Sequence, residues 1–393
     1  MFRILTILVV LIVVIFVVAL FYLDMNFLVS IGLVYVTAVA SQPISDNDSL
    51  RLISVFLRHG ARTPEFKDTY PNDPYKLDTF QPMGWGQLTN AGKRKEYNIG
   101  KELRTRYIDF LGDEEFTLDT VDARCTDYNR TKMSLQLVLA SLFPPRGDLV
   151  WENQLDWQPV PFNYWPIHED HVLADPLQNC PRYNKLFWKY LNSTEGKMLF
   201  ENHTDLIKYL EHHTGSPMYS KAFADLYFSL TTEKENGYDH PEWAKSVYQQ
   251  ILQLAINDYN VSSATDELKK YVVGFLVKKI IDDSYTKIKG EYYKGTKIFL
   301  YSAHEFNIAV LLRYLDVFYP HVPPYGSYVI IELHNYGTVR GFKFFYQDYT
   351  EDGPKHLNIP GCGGHFCKLT RFVRLFQHML PESDRECFNV AGL

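Results

Sequence analysis

The chain has 393 residues, of which 46% are hydrophobic, 15% aromatic and 22% charged, and its formal net charge at pH 7 is -6. This composition excludes a disordered tail and a collagen-like repeat. A mildly acidic chain of this size also lacks the basic surface expected of a nucleic-acid-binding protein, so we predict no nucleic-acid partner.

A hydrophobic leader precedes the part of the chain that we expect to fold. Residues 4–23 carry no charge, and a second apolar run over 27–40 ends in A-V-A, which is typical of a signal-peptide cleavage site. Residues 4–23 are also long enough to span a bilayer. We therefore predict that residues 1–40 are a signal peptide or a signal-anchor, with Met25 as an alternative start. The body is then secreted, or membrane-anchored on the non-cytosolic side.

Glycosylation motifs agree with export. The sequence has five N-x-Ser/Thr motifs, and four of them are candidate glycan acceptors: Asn47, Asn192, Asn202 and Asn260. The fifth motif, at Asn129, begins a predicted helix beside the candidate site, so we expect it to be unglycosylated.

The cysteines also agree with export. There are five, and the four residues between Cys362 and Cys367 are short and flexible enough to close a local disulfide loop. An odd number leaves at least one free thiol or an intermolecular bridge.

Strands and helices alternate in the first third of the body. An apolar run over 50–57 predicts a strand that ends at R-H-G-A-R-T-P over 58–64, and residues 65–87 predict a long loop. A helix is expected over 89–111, and a short extended segment over 117–123 leads into a second helix. The buried faces of these two helices are predicted from helical spacing: Ile99, Leu103, Tyr107 and Leu111 in the first, and Leu135, Val138, Leu139 and Leu142 in the second.

The alternation of strands and helices resumes in the later part of the chain, after a region of different composition. Residues 157–287 predict a mainly helical insert that shapes the substrate pocket, and the segments 41–156 and 288–393 form the catalytic domain. A strand over 297–301 leads into a helix, and a hairpin follows over 328–346. We therefore predict an α/β fold with a mostly parallel sheet flanked by helices, whose ligand lies at the carboxyl ends of the strands.

Three strand ends carry the residues suited to chemistry. Arg58, His59 and Arg62 follow the first strand. Arg124 follows the second, and His304 with Glu305 follows a third. Guanidinium groups brought together repel each other unless an anion lies between them, and their planar fork matches phosphate oxygens. A neutral histidine can attack phosphorus, and a carboxylic acid can protonate the leaving oxygen.

These residues resemble a known family. R-H-G-A-R-T-P over 58–64 resembles the R-H-G-x-R-x-P signature of the histidine acid phosphatases, and S-A-H-E over 302–305 resembles their later H-D or H-E motif. Segments 127–134, 142–145, 157–159, 179–182 and 360–362 are similar, in the same order, to prostatic and lysosomal acid phosphatases. The stretch R-T-K-M-S-L-Q-L-V-L-A and the H-E pair also resemble insect venom acid phosphatases. The resemblance covers roughly residues 50–390.

The resemblance implies a phosphoglycerate-mutase-like fold and hydrolysis of phosphate monoesters through a phosphohistidine, with no metal and no other cofactor. It implies that His59 is the nucleophile and that Glu305 is the proton donor. The implied phosphate ligands are Arg58, Arg62, Arg124 and His304. It also implies disulfides Cys180–Cys387 and Cys362–Cys367, and it leaves Cys125 as a free thiol.

Two departures from the family pattern keep alternatives open. Glu305 stands where typical acid phosphatases have Asp, and Ala61 stands where Asp is common. A phytate or inositol-polyphosphate phosphatase of the same fold is one alternative, and a catalytically weak secreted binding protein or allergen is another. A homodimer is also left open. We expect an acidic optimum, because Glu305 must carry a proton for the first step.

Overall fold

The structure is a computed structural model that describes residues 49–75, 77–112, 116–290 and 295–390. The predicted leader and the glycosylation motif at Asn47 lie outside these ranges. Within them, no helix combines the length and the apolar character needed to cross a membrane.

One sheet of eight strands runs through the described part of the chain. Its strands are β1 (Leu50–Arg58), β2 (Val121–Cys125), β3 (Asn163–Tyr164), β4 (Ile298–Ala303), β5 (Tyr328–Tyr336), β6 (Val339–Gln347), β7 (Lys355–Leu357) and β8 (Cys367–Lys368). The strand order is β3-β2-β4-β1-β5-β6-β7, and β8 pairs with β6. The strands predicted at 50–57 and 297–301 correspond to β1 and β4.

The sheet is mixed, which refines the prediction of a mostly parallel sheet. The first four strands in the spatial order, β3, β2, β4 and β1, are parallel to one another. The pairs β1–β5, β5–β6, β6–β7 and β6–β8 are antiparallel. The reason is the predicted hairpin, which forms β5 and β6 around Gly337, because a short turn reverses the chain direction. The α/β class is confirmed.

Twelve α-helices accompany the described strands. They are α1 (Asn90–Leu111), α2 (Asn129–Leu142), α3 (Pro181–Leu191), α4 (Thr194–Glu201), α5 (Thr204–Thr214), α6 (Ser220–Glu235), α7 (Glu242–Lys245), α8 (Tyr248–Ser262), α9 (Asp266–Val272), α10 (Gly274–Lys289), α11 (Glu305–Tyr314) and α12 (Leu369–Phe376). Thr89 caps α1 by accepting a hydrogen bond from the Gly92 N–H. All eight side chains predicted to form the inner faces of α1 and α2 are buried, so the helical spacing located these helices correctly.

Both faces of the sheet are covered, which explains the unbroken apolar run of β1. Leu52 and Phe56 belong to one core cluster, and Ile53, Val55 and Leu57 belong to another cluster that includes side chains of α1 and α2. Successive side chains of a strand point to opposite faces, so both sets can be buried only when each face has its own layer.

Eight helices, α3–α10, lie between β3 and β4 in the described part of the chain. From Leu50 onward the chain forms one compact unit. The boundaries proposed for the helical insert, residues 157–287, therefore stay a prediction.

The cysteine pairs implied by the resemblance are bonded in the structure. Cys180, at the start of α3, is bonded to Cys387 near the C-terminus, and Cys362 is bonded to Cys367. Cys125 is a buried free thiol at the end of β2.

Candidate active site

The strands β1 and β4 bring two histidines to one edge of the sheet. Their parallel register pairs Arg58 with Ala303. His59 follows Arg58, and its backbone N–H donates to the carbonyl oxygen of Ala303 at 3.0 Å. His304 follows Ala303, and the two imidazole rings lie edge to face with their centroids 5.4 Å apart. The register thus joins two motifs that are far apart in the sequence.

A hydrogen bond to the next residue decides the tautomer of His59. Its Nδ1 lies 2.9 Å from the carbonyl oxygen of Gly60, and a carbonyl oxygen can only accept. Nδ1 therefore carries the proton, and in the neutral ring Nε2 keeps its lone pair. Burial, followed by the charges of Arg130 and His304, lowers the pKa of His59 well below its usual value. The ring is therefore arranged as a nucleophile.

Gly60 is required by the close packing of the loop after β1 on helix α1. A Cβ atom at Gly60 would lie 2.6 Å from the carbonyl oxygen of Gly92, and one at Gly92 would lie 2.2 Å from that of Ala61. The N–H of Gly60 also donates to Ser134 Oγ at 3.1 Å. These contacts hold the loop between α1 and α2, and they fix the backbone that orients His59.

Arg58 and Glu305 come from neighbouring strand ends and lie close together. Arg58 Nη1 donates to the carbonyl oxygen of Pro323 at 2.5 Å, and its guanidinium lies 3.8 Å from the centroid of the Tyr325 ring. Arg58 Nε is 3.6 Å from Glu305 Oε2. Glu305 is the first residue of α11, where the helix dipole favours a carboxylate. Its side chain also lines the same cavity as His59, so helix capping is not its only available role.

Arg62 and Arg130 line the cavity, and each is held by a carboxylate. Arg62 Nη2 lies 2.9 Å from Asp68 Oδ2, and Arg130 Nη2 lies 2.7 Å from Glu65 Oε1. Burial would raise the pKa of Glu65, but Arg130 and Arg62 outweigh it and the pKa is lowered. Glu65 and Asp68 thus balance two nearly buried guanidinium groups.

His304 is held between a threonine and an arginine. Its Nδ1 lies 3.4 Å from Arg130 Nη2, and a guanidinium can only donate, so Nδ1 accepts. In the neutral ring Nε2 then carries the proton and donates to Thr126 Oγ1 at 3.0 Å. Burial and then Arg130 lower the pKa of His304 well below its usual value. To act as the predicted hydrogen-bond donor to phosphate, His304 would need a second proton, on Nδ1.

Many of these groups line a cavity with a volume of about 100 Å³, whereas Arg58 lies outside its lining. Five of its side chains have been introduced as candidate site residues: His59, Arg62, Arg130, His304 and Glu305. Another part of the lining comes from α6 and α8, which contribute Lys221, Asp225, Phe228, Asp258 and Tyr259. The cavity therefore combines a nucleophile, two cations and a carboxyl group with a second wall of mixed character.

A model of the histidine phosphatase superfamily (branch 2) matches residues 49–347. The chain belongs to this family. Venom acid phosphatase Acph-1 of Apis mellifera is 35% identical over 353 residues, which cover 89% of this chain and 90% of that protein. Prostatic acid phosphatase of Homo sapiens is 32% identical over 349 residues, covering 86% and 88%. The family predicted from the motifs is confirmed.

Solved structures resemble this histidine phosphatase in fold. The phytase of Klebsiella sp ASR1 matches with a TM-score of 0.63 at 17% identity, covering 86% of this chain and 98% of that chain. Hafnia alvei phytase in complex with myo-inositol hexakis sulphate matches with a TM-score of 0.62 at 18% identity and the same coverage. At these identities the similarity concerns the fold alone, and it agrees with the predicted α/β class.

Arg124 of this histidine phosphatase, like Arg58, is not among the residues that line the cavity. Its Nη2 lies 2.5 Å from Asp170 Oδ1, and its guanidinium lies 3.8 Å from the centroid of the Trp165 ring. Side chains alternate along a strand, and Arg124 lies on the face of β2 opposite to Ala123 and Cys125, which are in the core. Its side chain is therefore held by Asp170 and Trp165, and its role as a phosphate ligand stays a prediction.

Arg130 is the functional candidate that the sequence reasoning missed. It lies in the first turn of α2 and contacts both His304 and Glu65. Two signals pointed to it. It lies within the 127–134 segment that resembles the acid phosphatases, and the amino end of a helix is a common place for anion binding.

Proposed function

We propose that this histidine phosphatase hydrolyses phosphate monoesters as an acid phosphatase, in two steps and through a phosphohistidine at His59. The observation that carries the proposal is the hydrogen bond from His59 Nδ1 to the Gly60 carbonyl. It leaves the Nε2 lone pair free in a buried ring beside Arg62, Arg130 and the carboxyl group of Glu305. These are the parts that nucleophilic phosphoryl transfer requires.

In the first step, the lone pair of His59 Nε2 forms a bond to phosphorus. The bond between phosphorus and the ester oxygen breaks, and the proton of the Glu305 carboxyl group moves to that oxygen, so that a neutral alcohol leaves. The imidazole gains positive charge, which the Gly60 carbonyl stabilises through Nδ1–H. The phosphoryl group is then held on His59.

In the second step, water attacks the phosphohistidine. The Glu305 carboxylate accepts a proton from water, the water oxygen bonds to phosphorus, and the N–P bond breaks with its electron pair returning to Nε2. Inorganic phosphate leaves and Glu305 is protonated again. An acidic optimum follows, because the cycle starts with a proton on Glu305.

The phosphate oxygens are assigned to Arg58, Arg62 and Arg130, with His304 as a further ligand. Arg130 takes the place of Arg124 in this set because Arg130 lines the same cavity as His59 and Arg124 does not, and Arg58 is included because it contacts Glu305. A bound phosphate dianion favours a second proton on His304, since an opposite charge stabilises the imidazolium.

Hydrolysis of p-nitrophenyl phosphate across pH 3–9 tests the proposal. We expect activity at acidic pH and a phosphoenzyme that is trapped in the wild type but not in His59→Ala. Activity that persists in EDTA would support the metal-free mechanism. In the described part of the chain, no group of three or more His, Cys, Asp or Glu side chains could hold a metal ion. A wild type that is inactive at every pH would overturn the phosphatase proposal and favour a binding protein.

The phytase alternative is treated as a substrate question within the same chemistry. The phytase structures resemble this chain in fold at 17–18% identity. A comparison of kcat/KM for phytate and for simple monoesters decides between a phytase and a phosphatase of simple monoesters.

Export of the body is proposed on three grounds. The leader motif predicts it, the two disulfides suit an oxidising compartment, and relatives are named for venom and lysosomes. Secretion and membrane anchoring both stay open, and the N-terminus of the mature protein would separate them.

Two of the four predicted glycan acceptors are better placed than the others. Asn192 and Asn202 are exposed, whereas Asn260 is half-buried, with Nδ2 donating to Asn257 and Oδ1 accepting from Arg313. We therefore propose Asn192 and Asn202 as the glycan acceptors in the described part. Mass spectrometry of glycopeptides tests this assignment.

A homodimer is proposed on the basis of an exposed pair of tryptophans in the segment before β3. Trp151 and Trp157 are 58% and 39% exposed, and their ring centroids are 6.3 Å apart. Apolar surface of this kind marks contact sites. Sedimentation of wild type and Trp157→Ala checks this proposal, and a monomeric wild type would reject it.

A further inference from the structure

The cavity contains more carboxylates than cations. Six acidic side chains line it, and the residues that carry a permanent positive charge are Arg62, Lys67, Arg130 and Lys221. The two arginines serve the phosphate. The part of the lining supplied by α6 and α8 is then left for the alcohol portion of a substrate.

Five of the six carboxylates have a polar partner nearby. The pairs are Glu65 with Arg130 at 2.7 Å, Asp68 with Arg62 at 2.9 Å, Asp175 with Lys221 at 2.6 Å, Asp258 with Ser220 at 3.0 Å and Glu305 with Arg58 at 3.6 Å. Asp225, on α6, is the sixth. Among the residues that the structure describes, it has neither a hydrogen bond nor an ion pair. Its charge is therefore the one in the cavity that no direct contact balances.

The charged groups around Asp225 balance its charge only in part. Two carboxylates face it, Asp68 and Asp258, together with two lysines, Lys67 and Lys221. Lys221 is engaged by Asp175 at 2.6 Å, and Lys67 lies 3.7 Å from Glu65 with 61% of its side chain exposed. A second anion entering this part of the cavity would meet a carboxylate that the two lysines balance only in part.

The titration of Asp225 makes this effect depend on pH. Burial and then the charge of Asp68 raise the pKa of Asp225 to about 7. The side chain is therefore mostly neutral at pH 5 and mostly ionised at pH 8. Aromatic rings complete the surroundings, with Phe228, Tyr259 and Phe306 lining the same cavity. A carboxylate beside aromatic faces suits a cationic group.

We propose that Asp225 determines the substrate class at neutral and alkaline pH: there it admits phosphate monoesters of neutral or cationic alcohols and excludes those whose alcohol carries a second anionic group. The inference rests on the proposed function, because it concerns the same cavity. Repulsion between like charges in a confined site of low dielectric constant provides the discrimination. Inositol polyphosphates, which carry many phosphates, are then poor substrates at neutral and alkaline pH.

Three esters of similar size test the inference. Their alcohol parts are neutral in 2-hydroxyethyl phosphate, cationic in phosphoethanolamine and anionic in phosphoglycolate. We expect kcat/KM for phosphoglycolate, relative to 2-hydroxyethyl phosphate, to fall about tenfold between pH 5 and pH 8 in the wild type. Asp225→Asn should remove this fall. It should also remove any excess of kcat/KM for phosphoethanolamine over 2-hydroxyethyl phosphate at pH 8.

A matched variant separates local from overall charge. Asp352→Asn makes the same change at an exposed position between β6 and β7, and it should keep the wild-type ratios. If Asp225→Asn fails to fold, the pH dependence of the wild-type ratio still decides. Equal use of the neutral and anionic esters at pH 8, or unchanged ratios in Asp225→Asn, would overturn the inference while leaving the phosphatase proposal intact. A wild type that hydrolyses none of the three esters would reject both.

Discussion

The two walls of the cavity differ in whether their charged side chains have a direct partner. On the wall formed by strand ends and α2, Arg62 and Arg130 are each held by a carboxylate at 2.9 and 2.7 Å. On the wall formed by α6, Asp225 has no direct polar partner among the described residues. The paired arginines suit the phosphate group, which all substrates share. The unpaired carboxylate instead interacts with the alcohol part, which differs between substrates.

This difference indicates which wall carries out catalysis and which wall selects the substrate. Buried charges that are paired are costly to disrupt, because removing one partner leaves the other charge uncompensated. A carboxylate without a partner can be neutralised with little effect on packing. We therefore expect changes on the strand-end wall to abolish catalysis, and changes on the α6 wall to alter substrate choice.

The largest effect is expected for His59→Ala. Removing the nucleophile should lower kcat by at least about 10⁴-fold, because no other group can form the covalent intermediate. Acid quenching with labelled substrate should detect no phosphoenzyme, while the melting temperature stays near that of the wild type. Activity within tenfold of the wild type would show that the strand-end wall does not carry the chemistry.

Glu305→Gln should have the next largest effect, and one that depends on the leaving group. We expect kcat to fall about 10³-fold for an alkyl phosphate and much less for p-nitrophenyl phosphate, because p-nitrophenolate can leave without a proton. Parallel assays of the two esters measure the difference. Equal losses for both would reject Glu305 as the proton donor.

Arg130→Ala and Arg124→Ala form a matched pair. Arg130→Ala should lower kcat/KM about 100-fold through loss of a charge-assisted contact to phosphate. Arg124→Ala should change kcat/KM by less than about threefold but lower the melting temperature, because Asp170, whose side chain is 1% exposed, loses its ion pair. A larger kinetic loss in Arg124→Ala would restore the original prediction for the phosphate site.

The smallest effect concerns stability and pH, away from the reacting groups. Glu233, on α6, is buried beside Asp73, and Ser229 Oγ lies 3.0 Å from Glu233 and 3.5 Å from Asp73. Burial and then the charge of Asp73 raise the pKa of Glu233 to about 8. The folded state therefore holds this proton more tightly than the unfolded state, whose carboxyl group titrates near pH 4.3.

Stability from Glu233 is fully present below the unfolded pKa and is lost as pH rises toward 8. Between pH 5 and pH 8 the melting temperature of the wild type should fall by about 5 °C more than that of Glu233→Gln. Differential scanning calorimetry at both pH values, with Asp352→Asn as the exposed control, measures this. Parallel melting curves for the wild type and Glu233→Gln would reject the prediction.

Local patterns in the chain predicted the elements that carry the motifs. The apolar runs of β1 and β4 and the helical spacing of α1 and α2 are short-range features, and each was located within a few residues. The hairpin was predicted for the same reason, since its turn is local. The mixed order of the sheet was not, because pairing between β1 and β5 joins segments that are distant in sequence.

Side-chain direction explains why Arg124 lies outside the lining of the cavity. A strand-end position predicts proximity to the ligand edge, but whether the side chain faces the ligand depends on the strand's alternation and on its neighbours. Here Asp170 and Trp165, from the segment after β3, hold Arg124, and α2 supplies Arg130 instead.

By itself the sequence determined the α/β class and the family, and it predicted His59 and Glu305 as site residues, because contiguous motifs and short periodicities encode them. Only the tertiary structure decided which arginines line the cavity and which nitrogen of His59 is free. It also decided that Asp225 lacks a direct partner among the described residues. These properties depend on contacts between α2, α6, α8 and the strand ends, and such contacts exist only once the chain has folded.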